Sequence, residues 1–269
     1  MKVNIDPILV ELGPIRLSWY GIMYVFGFLI SYLLVRHQMK RKEFGISKQE
    51  VESLYFYLIL GLMVGARLGY VLFYDLKIYL ADPLEIFAIW HGGMSFHGGL
   101  IGVLIVGILF SWKNKKSFLR IADLIIVTTP IGLGLGRIGN FINGELYGRV
   151  TQIPWGMIFP KGGPLPRHPS QLYESALEGG VLFLILWLIK DKKLPTGGLL
   201  ALFLFLYGVF RFSIEFFREP DAHLGFVLGP FTMGQALTVF MIVGGMILFI
   251  YLKRRTDSLP QRPTKKERG

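Results

Sequence analysis

Phe231-Thr-Met-Gly-Gln-Ala-Leu-Thr-Val-Phe-Met-Ile-Val-Gly-Gly-Met-Ile-Leu-Phe-Ile-Tyr-Leu252 carries no charged residue and runs straight into Lys253-Arg254-Arg255. A helix needs about 20 mainly apolar residues to cross roughly 30 Å of hydrocarbon. This stretch meets that length and stops on a basic cluster. Six further runs resemble it: about 17–35, 53–74, 94–112, 120–142, 172–189 and 197–217. Arg67, Asp123, Arg137, Glu174 and Arg211 fall inside them. Backbone groups in lipid must be satisfied internally, which favours helices. Barrel strands would alternate in polarity over about ten residues, and these runs do not.

Composition agrees. Apolar residues make up 52% of the 269 and charged residues 17%, with a mean hydropathy of +0.50. A soluble domain carries about 25% charged residues, so a soluble enzyme, a disordered chain and a coiled coil are all disfavoured. The expected fold is an all-α polytopic membrane protein, with seven transmembrane helices and irregular outer-face loops. It forms a single integral membrane domain over 1–269. Asp6 and Glu11 break the basic-then-apolar order of a cleaved signal peptide, so the amino terminus is expected to stay in the mature protein. The chain has no cysteine, hence no disulfide, thiolate metal site or cysteine nucleophile.

The 29 Lys+Arg against 18 Asp+Glu suggest nucleic-acid binding until they are placed. Segments 36–48, 113–120, 190–193 and 253–268 hold 5, 4, 3 and 7 of them, or 19 of the 29, all on alternate connections. That is the positive-inside pattern. It puts these connections in the cytoplasm, the amino terminus outside and the carboxyl terminus inside, and it removes the nucleic-acid reading. Residues 253–269 are expected to form a basic cytoplasmic tail. The opposite connections are 75–93, 143–171 and 218–230. Pro154, Pro160, Pro164, Pro166 and Pro169 predict irregular structure in the longest.

Ionisable residues at membrane depth are costly and mark functional candidates. Gly134-Leu-Gly136-Arg137-Ile-Gly139 matches G-x-G-x-x-G, but no strand precedes it and the dinucleotide reading fails. These glycines suit close approach to another helix or a lipid. Downstream, Arg137, Asn140, Asn143, Glu145 and Arg149 fall within fourteen residues of Gly136. Guanidinium forks suit phosphate; structural pairs such as Arg137–Glu145 or Glu145–Arg149 are the alternative. His97, flanked by Gly92-Gly93 and Gly98-Gly99, is a candidate base near pH 7, or a buried structural donor. His91 and His97 alone make a weak metal site. Tyr207, Arg211, Glu215 and Arg218 form one helical stripe; Arg211 and Glu215 could simply neutralise each other. Glu174 and Glu178 share a face of the fifth span, and one could partner Arg137 or Arg211.

Several stretches together resemble one family. They are Trp19-Tyr20-Gly21, Gly92-Gly93-Met94-Ser95-Phe96-His97-Gly98-Gly99, Gly136 through Glu145 with Gly148-Arg149, Arg167-His168-Pro169-Ser170-Gln171-Leu172-Tyr173-Glu174, and Tyr207-Gly208-Val209-Phe210-Arg211 with Glu215-Phe216-Phe217-Arg218. In order and over nearly the whole chain, they resemble the phosphatidylglycerol–prolipoprotein diacylglyceryl transferases. The 150–166 loop is short for that family, and His91 stands where the family varies. The resemblance implies seven spans in the bacterial cytoplasmic membrane, with the amino terminus outside. It also implies transfer of a diacylglyceryl group from phosphatidylglycerol to the lipobox cysteine thiol of a prolipoprotein, giving a thioether and glycerol phosphate. Its partners would be that lipid, lipobox peptides and the surrounding membrane lipids, with no cofactor. The functional positions it implies are Tyr20, His97, Arg137, Asn140, Glu145, Gly148, Tyr207, Arg211 and Glu215.

A thiol of ordinary pKa about 8.5 needs a base, and His97 is expected to take or steer its proton. Arg137 and Arg211 are expected to hold the phosphate and stabilise the leaving group. Asn140 and Tyr207 would orient the headgroup, while Glu145 and Glu215 fix the arginines. From the residues alone, a polytopic small-solute transporter or a structural membrane subunit would also keep buried charge. Neither would make a covalent product.

Overall fold

The computed structural model describes residues 1–13, 15–41, 44–220, 226–228 and 231–258. The expected basic tail beyond 258 lies outside these, as do Lys42 and parts of the 218–230 connection. In order, the elements are β1 (Ile8–Leu12), β2 (Ile15–Ser18), α1 (Trp19–Met39), α2 (Lys48–Phe73), α3 (Leu76–Ala81), α4 (Phe96–Lys113), α5 (Phe118–Ile126) and α6 (Thr129–Ile142). Then come α7 (Ser170–Glu174), a π-helical turn (Ser175–Val181), α8 (Leu182–Ile189), α9 (Gly198–Ile214), β3 (Phe226–Leu228), β4 (Phe231–Thr232) and α10 (Met233–Asp257).

The chain is mostly helical, and all seven apolar runs fall on helices. Five stretches are long and apolar enough to cross a membrane: α1, α2, α4, the run from α7 through α8, and α10. Helices α5 and α6 make a sixth as a pair bent by 49°. Helix α9 is apolar but has 17 residues, about 25 Å at 1.5 Å per residue. Exposed faces are apolar too; α4 presents Leu104, Ile105, Ile108 and Leu109 outward. The antiparallel pairs β1–β2 and β3–β4 are additions to the all-helical expectation.

Two compact units divide the chain: Met1–Val35 with the described residues from Asp123 on, and Arg36–Ala122. In the second, α2 begins at a capping box. Ser47 Oγ accepts from the Glu50 amide at 3.2 Å, and Glu50 Oε2 accepts from the Ser47 amide at 2.7 Å. Helices α2 and α4 then meet backbone to backbone. A Cβ on Gly98 would lie 2.3 Å from Gly65 O, and one on Gly102 would lie 2.0 Å from Gly61 O. Only glycine allows that approach. Buried Arg67 donates to the carbonyls of Glu85, Ile86, Ala88, Gly92 and Gly93, and lies 5.0 Å over the Tyr79 ring. One guanidinium thus ties down the connection leading into α4, and no carboxylate is needed.

In the first unit, the break between α5 and α6 falls at Val127–Thr128, just before Pro130, which cannot donate to the preceding turn. Ser31 and Thr128 hydroxyls meet at 2.7 Å across that break. Asp123 accepts from the amides of Gly197 at 2.6 Å and Leu200 at 3.0 Å. An acid inside a predicted span therefore satisfies the amino-terminal amides of α9. Val127, Leu182, Leu186, Leu199 and Phe203 form the apolar core of this unit. Gly134 of α6 packs so closely on Gly179 of the π turn that either Cβ would come within 2.9 Å of the other residue's Cα. As the prolines predict, 143–171 is irregular; it carries a 3-10 turn at Pro160–Gly162 and isolated bridges, and closes over fully buried Phe159.

Candidate active site

The first unit gathers an ionic cluster from three helical segments. Helix α6 supplies Arg137, and the stretch of α7 and the π turn supplies Glu174 and Glu178. Helix α9 and the residues just after it supply Arg211, Glu215 and Arg218. Glu174 is the hub. Arg137 Nε lies 2.8 Å from its Oε2, while Arg211 Nη1 and Arg218 Nη1 donate to its Oε1, the latter at 3.2 Å. Arg211 Nη2 lies 2.8 Å from Glu215 Oε2, and Glu215 Oε1 accepts from Thr232 Oγ1 at 2.8 Å. Glu178 stands farther off, its oxygens 3.9 Å from Arg137 Nη2 and from Arg211 Nη1.

Burial is uneven, and that decides what the cluster can do. The side chains of Glu174 and Glu178 are 0% exposed, while those of Arg137 and Arg211 keep 21% and 14%. The carboxylates are sealed, and the arginine side chains keep part of their surface. Guanidinium donors held by buried counter-charge are preorganised. Tyr207, one turn before Arg211, stacks on Phe203 and lies within electrostatic reach of Glu178, Arg137 and Arg211.

Beside this cluster a second network forms at the end of α6. Asn140 and Asn143 side-chain amides donate to Glu145 Oε1 at 2.9 and 3.1 Å, and Gln171 Nε2 donates to the Glu145 carbonyl at 2.6 Å. Leu146, the next residue, takes φ +56°, a conformation that costs a non-glycine residue energy and needs surrounding support. Tyr20 packs on Gly139, whose Cβ would lie 2.7 Å from the tyrosine ring; its hydroxyl is 3.2 Å from that of Tyr24.

These positions depart from the sequence expectations in definite ways. Arg137 pairs with Glu174 and Glu178, and neither Arg137–Glu145 nor Glu145–Arg149 is the pairing found. Glu145 orders asparagines instead of fixing an arginine. Glu215 does fix Arg211, as expected. Gly148 is where two segments cross: a Cβ there would lie 2.4 Å from Phe217 O and 2.6 Å from His168 Cβ. Helix α9 ends at Ile214, so Arg218 reaches Glu174 from beyond the helix. Arg149 Nε donates to the Arg218 carbonyl at 2.9 Å. His97 belongs to the other unit. It is the second residue of α4, exposed, with Ser95 capping the helix ahead of it and its ring edge-on to Phe96. The π turn and the third cation on the Glu174 carboxylate, Arg218, were missed. The expectation that Glu174 or Glu178 partners Arg137 or Arg211 is met, Glu174 pairing with both. The four-residue spacing of Glu174 and Glu178 was the available signal.

Comparison with known proteins covers almost the whole chain. The family model described as prolipoprotein diacylglyceryl transferase matches residues 7–251. A phosphatidylglycerol–prolipoprotein diacylglyceryl transferase of Geobacter sulfurreducens is 50% identical over 252 residues, spanning 94% of this chain and 97% of the relative. The proteins of that name from Desulfotalea psychrophila and Aliivibrio fischeri are 53% and 49% identical. They cover 95% and 98% of this chain, and 97% of each relative.

Proposed function

Because the chain belongs to the prolipoprotein diacylglyceryl transferase family, we propose that its Arg137–Arg211 cluster holds the phosphate of phosphatidylglycerol while the diacylglyceryl group passes to a prolipoprotein. The protein is a multi-pass bacterial membrane transferase of lipoprotein biosynthesis. The observation that supports this reading is the pair of partly exposed arginine side chains gathered on the fully buried carboxylate of Glu174.

The acceptor is the lipobox cysteine thiol. His97 takes its proton, and the thiolate sulfur attacks the glyceryl carbon next to the phosphate. A C–S bond forms as the C–O bond breaks, and glycerol phosphate leaves with the electron pair. Negative charge grows on the phosphate oxygens, where Arg137 and Arg211 stabilise it. Asn140 and Tyr207 orient the headgroup, and Tyr20 with Gly148 shapes the surroundings. Glu174 and Glu215 fix the guanidiniums, and Glu145 orders the Asn140 side.

The chain is read as one membrane domain with seven spans, α9 being the short one and α5–α6 the bent one. Its amino terminus faces outward and its carboxyl terminus the cytoplasm. The 19 Lys+Arg on alternate connections support that orientation. A lipobox peptide incubated with phosphatidylglycerol and purified protein in detergent tests the activity by mass. The expected result is a gain of one diacylglyceryl group on the cysteine peptide, none on its Cys→Ser counterpart, and release of glycerol phosphate. No adduct from lipid-supplied protein would overturn the reading and make vesicle transport the next test.

A further inference from the structure

Among the described residues, the ion-paired cluster comprises three guanidiniums (Arg137, Arg211, Arg218) and three carboxyl groups (Glu174, Glu178, Glu215). With every group ionised the set is neutral. A phosphodiester monoanion entering it leaves one negative charge in excess in a site largely shut off from water, where unbalanced charge is costly. One proton restores the balance, so the question is which group accepts it.

The three acids are not equivalent. Glu174 accepts hydrogen bonds from Arg211 and Arg218 and pairs with Arg137 at 2.8 Å. Glu215 accepts from Thr232 and pairs with Arg211 at 2.8 Å. Protonating either would break short, charge-assisted contacts. Glu178 is fully buried, and neither of its oxygens has a hydrogen-bond partner among the described residues. Its nearest cations stand 3.9 Å away. The groups facing it are Arg137 from α6, Arg211 and Tyr207 from α9, Arg218 beyond α9, and Glu174 on its own stretch. It also lies in the π turn, an irregularity that often marks functional positions.

We propose that binding of a phosphodiester monoanion at this cluster is coupled to uptake of one proton by Glu178. The inference rests on the cluster being the phosphate site. Glu178 serves as third counter-charge while the site holds no anion, and becomes a neutral acid when phosphate takes over that role. Its release of Arg137 Nη2 and Arg211 Nη1 turns their attraction toward the incoming oxygens. The charge moves from a carboxylate to a ligand, and no covalent bond other than the O–H changes.

Calorimetric titration of the purified protein with phosphatidylglycerol in detergent, at pH 8 in two buffers of different ionisation enthalpy, counts the protons. The lipid's phosphodiester does not titrate there. The wild-type protein is expected to take up about one proton per lipid bound, and its affinity to fall about tenfold per pH unit as pH rises through the ionisation of Glu178 in the lipid-free protein. Glu178→Gln is neutral and close in shape; it is expected to take up none and to bind with a flat pH profile. Proton-neutral binding by the wild type across pH 6–9, measured without any variant, would overturn the inference and leave the phosphate site standing. A retained slope in Glu178→Gln would overturn it equally. Absence of saturable lipid binding at every pH would overturn the phosphate-site reading itself, and the inference with it.

Discussion

At the scale of single residues, the charged groups inside the apolar runs are told apart by their partners. Arg67 is saturated by five backbone carbonyls and Asp123 caps α9. Arg137 and Arg211 instead share carboxylates and keep exposed faces, while Glu174 is their buried hub. Membrane depth alone marks every one of them as a functional candidate. It cannot tell a group saturated by backbone from one held in a carboxylate cluster, because the partners come from chain segments distant in sequence. Arg137→Ala is expected to lower kcat/KM about 10²–10³-fold in the peptide assay. It leaves Glu174 with one cation fewer, so a loss of about 3–5 kcal/mol of stability is also expected. Unchanged turnover and lipid affinity in that variant would remove the phosphate-cradle role. His97→Gln separates the base from the cradle: kcat is expected to fall about 10²–10⁴-fold with phosphatidylglycerol affinity kept. Full turnover near neutral pH would show that another group takes the proton.

At the scale of elements, the helices were legible because an apolar run of spanning length has few alternatives. Their ends were not: Ser47 with Glu50 caps α2 so that it begins at Lys48, five residues before the run read from 53, and α10 continues to Asp257, past the end read at 252. The π turn was not, since Ser175-Ala-Leu-Glu178-Gly-Gly-Val181 reads as an ordinary stretch of helix. Its closest neighbour is Gly134 of α6, which meets Gly179 backbone to backbone, a contact between segments distant in sequence. The two-stranded ribbons are short and were lost against the helical pattern. Glycines differ in what they do: Gly98 is pressed against Gly65, whereas a Cβ on Gly136 meets nothing within 4 Å. Gly98→Ala is expected to force α2 and α4 apart and cost about 1–3 kcal/mol. Gly136→Ala should be neutral, or stabilising by up to about 1 kcal/mol from helix propensity. Thermal unfolding in detergent checks both. Equal midpoints would mean that the close α2–α4 seam contributes nothing.

At the scale of the whole molecule, the proposed orientation rests on where Lys and Arg fall, and the absence of cysteine from the sequence makes it directly testable. A single cysteine at Lys161 should react with a membrane-impermeant maleimide added to intact spheroplasts. One at Lys115 should react only after the membrane is opened. The reverse pattern would invert the topology and place the arginine cluster on the wrong side for an exported acceptor. The chain as a whole also inherits a rule about changes of length from its π turn. An α-helix shortened by one residue swings everything beyond the cut by about 100°; in α9 that would carry Arg211 away from Glu174. Residues 175–181 already hold one residue more than α geometry needs over that rise. Removing one there lets the backbone close into a plain helix with both flanks in register, Glu174 still toward the arginines and Leu182 and Leu186 still in the apolar core. Such a chain would keep its flanking register while shifting Glu178 and its neighbour Gly179 together, so this carboxylate and the close contact with Gly134 are tied to the same extra residue.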